Sequence, residues 1–277
     1  MDIPDTLVLG GTGRIGAILR RFWPDDGAVW QARSAVSGAD WTRLEIDDEA
    51  ALDRAARGRA VILCLAGVTN DKVRQGADLK DNTTLALAAV RAAANCGARV
   101  LVVSSAAVYG NQSRVLDEEN ALKPQSDYGH AKAEMETQVA ALANDLGVKA
   151  CALRIGNVAG VDAILGGWRP GFRLDQFADG SSPARSYIGP ETLARVMADL
   201  IRSVDLPPVL NVAAPGTLEM GALLDAAGLE WAGQPAPDSA IAKVCLATEK
   251  LQRFTVLDAR ASSAKNMVAE WRKMKIG

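Results

Sequence analysis

The chain contains a single histidine, His130, and four cysteines that never approach a CxxC spacing. Zinc-type centres need clustered His and Cys ligands, so metal ligation is a remote reading of Cys64, Cys96, Cys151 and Cys245, and no metal is expected. Cys64 and Cys151 lie in apolar, strand-like runs and read as buried free thiols. Excess positive charge is also missing, with 31 Lys and Arg against 33 Asp and Glu. No basic cluster is dense enough to track a phosphate backbone, which argues against a nucleic-acid partner. No apolar stretch reaches the roughly 18 residues of a spanning helix. The short apolar run at 7–16 is broken by glycines, unlike the core of a secretory signal. A cytoplasmic protein without a membrane partner is the expectation.

What is present is an ordinary globular balance, 49% hydrophobic and 23% charged over 277 residues, enough for one large domain or one domain with an appendage. Short apolar runs alternate with longer amphipathic ones, the pattern of a parallel sheet with crossover helices. Strands are expected at 6–9, 28–32, 61–65, 100–104 and 149–155, and helices at 15–22, 49–57, 82–95 and 128–144. Beyond Arg154 the chain turns rich in Gly, Pro, Arg and Ser through 156–186, which reads as a binding segment. Further elements are expected at 191–203 (helix), 209–213 (strand), 220–227 (helix) and 262–275 (helix), with 235–237 as a loop. The fold class is α/β, a Rossmann-type doubly wound parallel sheet. Residues 1–155 form the nucleotide-binding domain and 156–277 a small substrate-binding region, interleaved with it through the strand near 209–213.

The segment Leu7-Val8-Leu9-Gly10-Gly11-Thr12-Gly13-Arg14-Ile15-Gly16 sets glycines at 10, 13 and 16 between an expected strand and an expected helix. One glycine permits the tight turn, another lets backbone approach a pyrophosphate, and a third lets helix and strand pack closely. The pyrophosphate then rests on the free N–H groups of the helix start. An NAD site usually carries an acid after the second strand to hold ribose hydroxyls. No acid occurs between Gly27 and Ala39; Ala32-Arg33-Ser34 presents a guanidinium and a hydroxyl instead, suited to a 2′-phosphate. NADP(H) is therefore favoured, with NAD(H) the alternative. The other reading of Arg33 is a solvated surface residue.

Tyr128-Gly129-His130-Ala131-Lys132 puts a phenol and an ammonium four residues apart on one helix face. A neighbouring cation stabilises phenolate and brings the tyrosine toward acid–base range. Ser104 and Ser105 sit at the C-terminal end of the fourth expected strand, the sheet edge where α/β ligands bind. Turn chemistry accounts for Ser104 more readily than for Ser105.

Taken in order, these motifs resemble the extended short-chain dehydrogenase/reductase superfamily, specifically its NAD-dependent epimerase/dehydratase family, over nearly the whole chain. The matching stretches are the glycine turn, Cys64-Leu65-Ala66-Gly67, Asn82 opening a helix, Ser104 through Gly110, Tyr128-x-x-x-Lys132, Leu153 through Val158, and Arg185 through Ile188. The resemblance implies an NAD(P)-dependent enzyme in which Tyr128 is the acid/base. Lys132 binds the nicotinamide ribose, and Ser105 bonds the reacting substrate oxygen. It implies cofactor contacts at Gly10, Thr12, Gly13, Arg14, Ile15, Gly16, Leu65, Ala66 and Gly67, beside the Arg33 contact read above from the residues, with Asn82 a structural residue near the lysine. Asn157 and Arg185 are candidates to approach a substrate diphosphate, and a homodimer could form through the helices at 82–95 and 128–144. His130 is read as a surface spacer. Trp168, Arg169 and Arg173 are candidates for substrate contact, with loop packing the alternative.

In the family's 4,6-dehydratases an Asp-Glu pair follows the serine position; here it is Ala106-Ala107, so elimination of water is disfavoured. Reversible carbonyl reduction on a small molecule, a sugar or nucleotide sugar, is the leading expectation. Nucleotide-sugar 4-epimerisation comes second. A non-catalytic NADP(H) sensor or scaffold is a third reading, disfavoured by the intact Ser105, Tyr128 and Lys132.

Overall fold

The computed structural model describes residues 3–23 and 27–275. Its centre is a seven-stranded sheet of β1 (Thr6–Leu9), β2 (Ala28–Ala32), β3 (Trp41–Arg43), β4 (Val61–Cys64), β5 (Arg99–Ser105), β6 (Ala150–Ile155) and β7 (Val209–Val212). The strand order is β7-β6-β5-β4-β1-β2-β3 and every pairing is parallel. β1 and β4 are buried at every residue, as a sheet covered on both faces requires.

Alternation along the strands sorts the core into two layers. Val8, Leu63 and Leu101 meet α1 (Arg14–Phe22) and α5 (Pro190–Arg202) through Ile18, Leu19, Leu193 and Met197. Leu7, Leu9, Ile62, Val100 and Val102 face the other side, against α2 (Glu49–Ala56), α3 (Asp81–Cys96) and α4 (Asp127–Leu146). The buried face of α3 is largely alanine (Ala86, Ala89, Ala92, Ala93). Small side chains let it lie close to the sheet and to α4, and the helix stops at Gly97, whose φ of 72° suits a residue without Cβ.

The chain winds to one side of β1 through β2 and β3, then crosses to β4 on the other side. The loops after β1 and β4 thus part at the C-terminal sheet edge, the switch point where ligands of such sheets sit. The second half adds α6 (Met220–Ala227), α7 (Ala264–Lys275) and a satellite core around Leu223, Leu224, Met267, Val268 and Trp271. Glu270 of α7 docks this unit on α5. Its carboxylate accepts from Thr192 N at 3.0 Å and Thr192 Oγ1 at 2.7 Å, at a helix start where negative charge is favoured.

Three expectations need revision. A further edge strand, β3, lies beyond β2; at three residues it is too short to carry a period. The stretch 156–186 contains short strands at Asn157–Val158, Arg173–Gln176 and Ala184–Arg185, whose partners are remote segments such as Lys243–Leu246 and Ala232–Pro235. Pro235 therefore ends a strand, and the loop follows it. Cys64 and Cys151 are buried, and the four cysteines are unpaired. Among the described residues, no helix is long and apolar enough to cross a membrane.

Candidate functional site

The turn after β1 is built around close backbone approach. A Cβ on Gly16 would stand 2.3 Å from Gly11 O, and one on Gly10 (φ +79°) 2.7 Å from Ala66 N. The first contact seats α1 on its strand. The second brings Leu65-Ala66-Gly67 against the turn. Gln31, buried in β2, fastens the same turn: its Oε1 accepts from Gly10 N at 2.8 Å while its Nε2 donates to Leu44 O at 2.7 Å. Gly13 caps α1 with no side-chain bond, and the first turn holds no acid. The amides of Arg14, Ile15 and Gly16 have no helical acceptor, so this helix start fits a diphosphate. Thr12 is exposed at the tip of the turn and Ile15 half-buried below it.

Three cations from separate segments flank the turn: Arg14 at the start of α1, Arg33 after β2 and Lys72 in a short helix at Asn70–Val73. Arg14 Nη1 donates to Val161 O at 3.1 Å and lies 3.5 Å from Asp71 Oδ2. Arg33 is exposed at the end of β2. Lys72 Nζ donates to Gly67 O at 2.9 Å. Burial, with the nearby charges of Arg33 and Arg14, holds the Lys72 ammonium below the usual lysine range. The sequence reading missed Lys72, which belongs to no motif and enters only through the fold.

At the end of β5, Ser105 turns the chain into a single 3-10 turn, Ala106–Tyr109, and its Oγ accepts from Ala107 N at 3.2 Å. α4 begins against that turn. Ser126 caps it by accepting from Gly129 N at 3.1 Å. Gly129 leaves no room for a Cβ, which would meet Ala107 O at 2.7 Å. This close approach brings the Tyr128 phenol near enough to Ser105 for the serine side chain to lower its proton affinity. With Ala107 N already bonded to Oγ, the serine proton is free to point at the phenol.

Burial pushes the Tyr128 phenol above its usual range; the Ser105 side chain and the Arg14 guanidinium oppose that rise. Arg14 is thus the cation that acts on the phenol. The helical spacing does place Tyr128 and Lys132 on one face, but the Lys132 ammonium is drawn inward. Its Nζ donates to Val103 O at 2.8 Å and stands beside Gly67 and Asn82, 3.4 Å from where a Gly67 Cβ would be. Burial pushes Lys132 down to about 8; the Cys64 sulfur where it is ionised, and the Glu136 carboxylate, oppose that fall. Asn82 is fully committed to structure: Oδ1 accepts from Val68 N, and Nδ2 donates to Val68 O and Leu79 O. Ser104, read from the sequence as turn chemistry, is instead a buried strand residue hydrogen-bonded to Glu136.

Ser105 opens on a cavity of about 400 Å³ that Asn157 and Arg185 also line, together with Gln125, Ser239 and Ile241. The Arg185 guanidinium is held by main-chain carbonyls, those of Ala184 and Ile241 at 2.8 Å and of Ala242 at 3.4 Å. No carboxylate pairs with it among the described residues. Such a cation suits an incoming phosphate or carboxylate. The Asn157 side chain lies near the Tyr187 phenol and lowers its proton affinity, and that phenol donates to Asp162 Oδ2 at 2.8 Å. Trp168, Arg169 and Arg173 do not line this cavity. Trp168 donates to Glu230 O, Arg173 bonds Gln234 and Gly233, and Arg169 is exposed. His130 is exposed on α4.

The family model described as the NAD dependent epimerase/dehydratase family matches residues 6–166, more than half of the chain. The chain belongs to this family. Its members are NAD-dependent enzymes of the extended short-chain dehydrogenase/reductase type, and the fold described above is theirs. A UDP-glucose-4-epimerase from Stenotrophomonas maltophila, solved with NAD and formylated UDP-arabinopyranose, superposes with a TM-score of 0.79 at 18% identity over 98% of each chain. MoeE5 in complex with UDP-glucuronic acid and NAD gives 0.76 at 21% identity, over 98% of this chain and 100% of its own. The dTDP-glucose 4,6-dehydratase DesIV from Streptomyces venezuelae, with NAD and TYD bound, gives 0.74 at 21% identity over 97% of each. No curated protein matches the chain.

Proposed function

We propose that this family member is an NAD(P)-dependent oxidoreductase that moves hydride reversibly at a hydroxyl or carbonyl carbon of a sugar or nucleotide sugar, with carbonyl reduction by NADPH as its main direction. The observation that carries the reading is the buried Tyr128 phenol, whose proton affinity the Ser105 side chain lowers, beside a cavity that Ser105 and Arg185 line. The dinucleotide would lie on the Gly10–Gly16 turn and against Leu65-Ala66-Gly67, and when bound its nicotinamide supplies or accepts the hydride. The residues of the chain handle the proton. Tyr128 gives its phenolic proton to the carbonyl oxygen as that oxygen gains negative charge, and Ser105 turns its single hydroxyl proton to the same oxygen. Lys132 orients the ribose beside Gly67 and contributes positive charge beneath it. Arg185 and Asn157 receive the substrate's anionic part.

Water elimination has no support from the side chains present. Ala106 and Ala107 carry no proton-transfer group, and Arg185 is the only ionisable residue among those lining the cavity. Arg33, Lys72 and Arg14 support NADP(H). Arg33→Ala is expected to weaken NADP(H) binding by about 10- to 100-fold, the worth of a charge-assisted bond, and to leave NAD(H) affinity nearly unchanged. Equal affinity of the wild type for both cofactors would refute the preference.

The second reading is epimerisation through a transient ketone. It is favoured by the likeness to a UDP-glucose-4-epimerase solved with NAD. A panel of UDP- and dTDP-sugars separates the two: reduction consumes NADPH absorbance at 340 nm, whereas epimerisation interconverts sugars with no net change. The reading retains the cytoplasmic location and the homodimer through α3 and α4 that the resemblance implies.

A further inference from the structure

Beneath the serine and the lysine lies a buried polar cluster that the proposed chemistry does not use. Arg154 of β6 holds Glu136 of α4 with three bonds: Nε to Oε1 at 3.1 Å, Nε to Oε2 at 3.0 Å and Nη2 to Oε2 at 2.7 Å. Ser104 of β5 donates to Glu136 Oε1. Arg154 Nη1 donates to Tyr109 Oη at 2.8 Å, and that phenol donates to Asn211 Oδ1 at 2.8 Å. Arg154 and Glu136 are each about 5% exposed at the side chain. Burying such a pair gives little stability over a well-packed apolar pair, so stability alone is a weak reason for it.

Its location suggests another. Glu136 lies one helical turn beyond Lys132, on the same face of α4. Ser104 is the residue before Ser105. The groups facing the Lys132 ammonium are Cys64 on β4, Asn82 on α3, the Val103 carbonyl on β5, and Met135 and Glu136 on its own helix. Asn82 is neutral, and Cys64 stays a thiol because burial pushes it up to about 11. Glu136 is the carboxylate of this group, and Arg154 and Ser104 hold it in place from β6 and β5.

We propose that Glu136 is a positioning residue, fixed by Arg154 and Ser104 so that its charge keeps Lys132 an ammonium under the cofactor ribose. The proposal rests on the reading of Lys132 given above. It makes Glu136 act on cofactor affinity as a function of pH, through a residue it does not touch by hydrogen bond. NADPH dissociation constants, or those of NADH if that binds more tightly, are measured by fluorescence between pH 6 and 10. In the wild type, affinity falls as Lys132 loses its proton at alkaline pH. In Glu136→Gln the same fall begins about one pH unit lower, the size of shift a neighbouring charge produces, with affinity at pH 6 close to wild type. Ser104→Ala, which removes one of the bonds fixing Glu136 but no charge, moves the midpoint in the same direction by less than Glu136→Gln. A merely structural loss would instead weaken binding evenly across the range.

A Glu136→Gln midpoint equal to that of the wild type overturns the proposal. If Glu136→Gln does not fold, Glu136→Asp draws the carboxylate back by one methylene and is expected to move the midpoint in the same direction by less; no movement there counts against the proposal equally. Lys132→Arg, which does not titrate in this range, separates the two levels. It should flatten the profile. A persisting alkaline fall means that the reading of Lys132 itself is wrong.

Discussion

Tyr128→Phe lowers kcat by about two to four orders of magnitude, the usual worth of a positioned general acid or base, and leaves NADPH affinity and melting temperature near wild type. The expectation follows from how narrowly the phenol's oxygen is used. The Tyr128 ring stands against the 3-10 turn because Gly129 lets α4 approach Ala107, and phenylalanine keeps that packing. What disappears is one hydroxyl, beside Ser105 and destined for the substrate oxygen. Burial raises the phenol, and Ser105 and Arg14 hold that rise in check. The wild-type tyrosine is therefore a proton donor across the neutral range, as reduction of a carbonyl requires. Steady-state kinetics with the best sugar of the panel, beside fluorescence titration of NADPH, measures both quantities. A variant with near-wild-type turnover would remove Tyr128 from the chemistry.

Arg154→Met is expected to cost about 3–5 kcal/mol of folding stability, the penalty of leaving one member of a buried ion pair without its partner. Three of the bonds to Glu136 go at once, along with the donor to Tyr109 and the guanidinium that lies 4.9 Å over that ring. Urea denaturation gives the number. The double variant Arg154→Met/Glu136→Met should recover most of the loss, because an apolar pair of similar volume packs without an uncompensated charge. A single variant within about 1 kcal/mol of wild type would mean that water or another cation reaches Glu136 readily, contrary to its burial.

Much of this architecture could be read before any coordinates. Fully buried parallel strands such as β1 and β4 announce themselves as short apolar runs, and alanine-rich α3 as a periodic one. β3 could not be read that way: three residues, Trp41-Thr42-Arg43, carry no period, and the strand exists because Trp30, Gln31 and Ala32 offer it a ladder. The two-residue strands of the second half depend likewise on remote partners. At the site, spacing put Tyr128 and Lys132 on one face, but it could not tell that Lys132 would turn inward to Val103 O while the charge of Arg14, far away in sequence, acts on the phenol. Gln31 carried a faint signal, a lone amide inside an apolar strand after a glycine turn. Lys72 carried none. Ser104 was misread because two adjacent serines at a strand end look alike until alternation sends one into the core and the other to the edge.

The most direct test of the account follows deuterium from NADPH labelled at C4 of the nicotinamide into the sugar, in a single turnover with wild type and with Tyr128→Phe. The account predicts label on the former carbonyl carbon with the wild type and transfer slower by at least about a hundredfold with the variant, at equal cofactor occupancy. Transfer at the same rate in both proteins would contradict the role given to Tyr128 and, with it, the proposed mechanism.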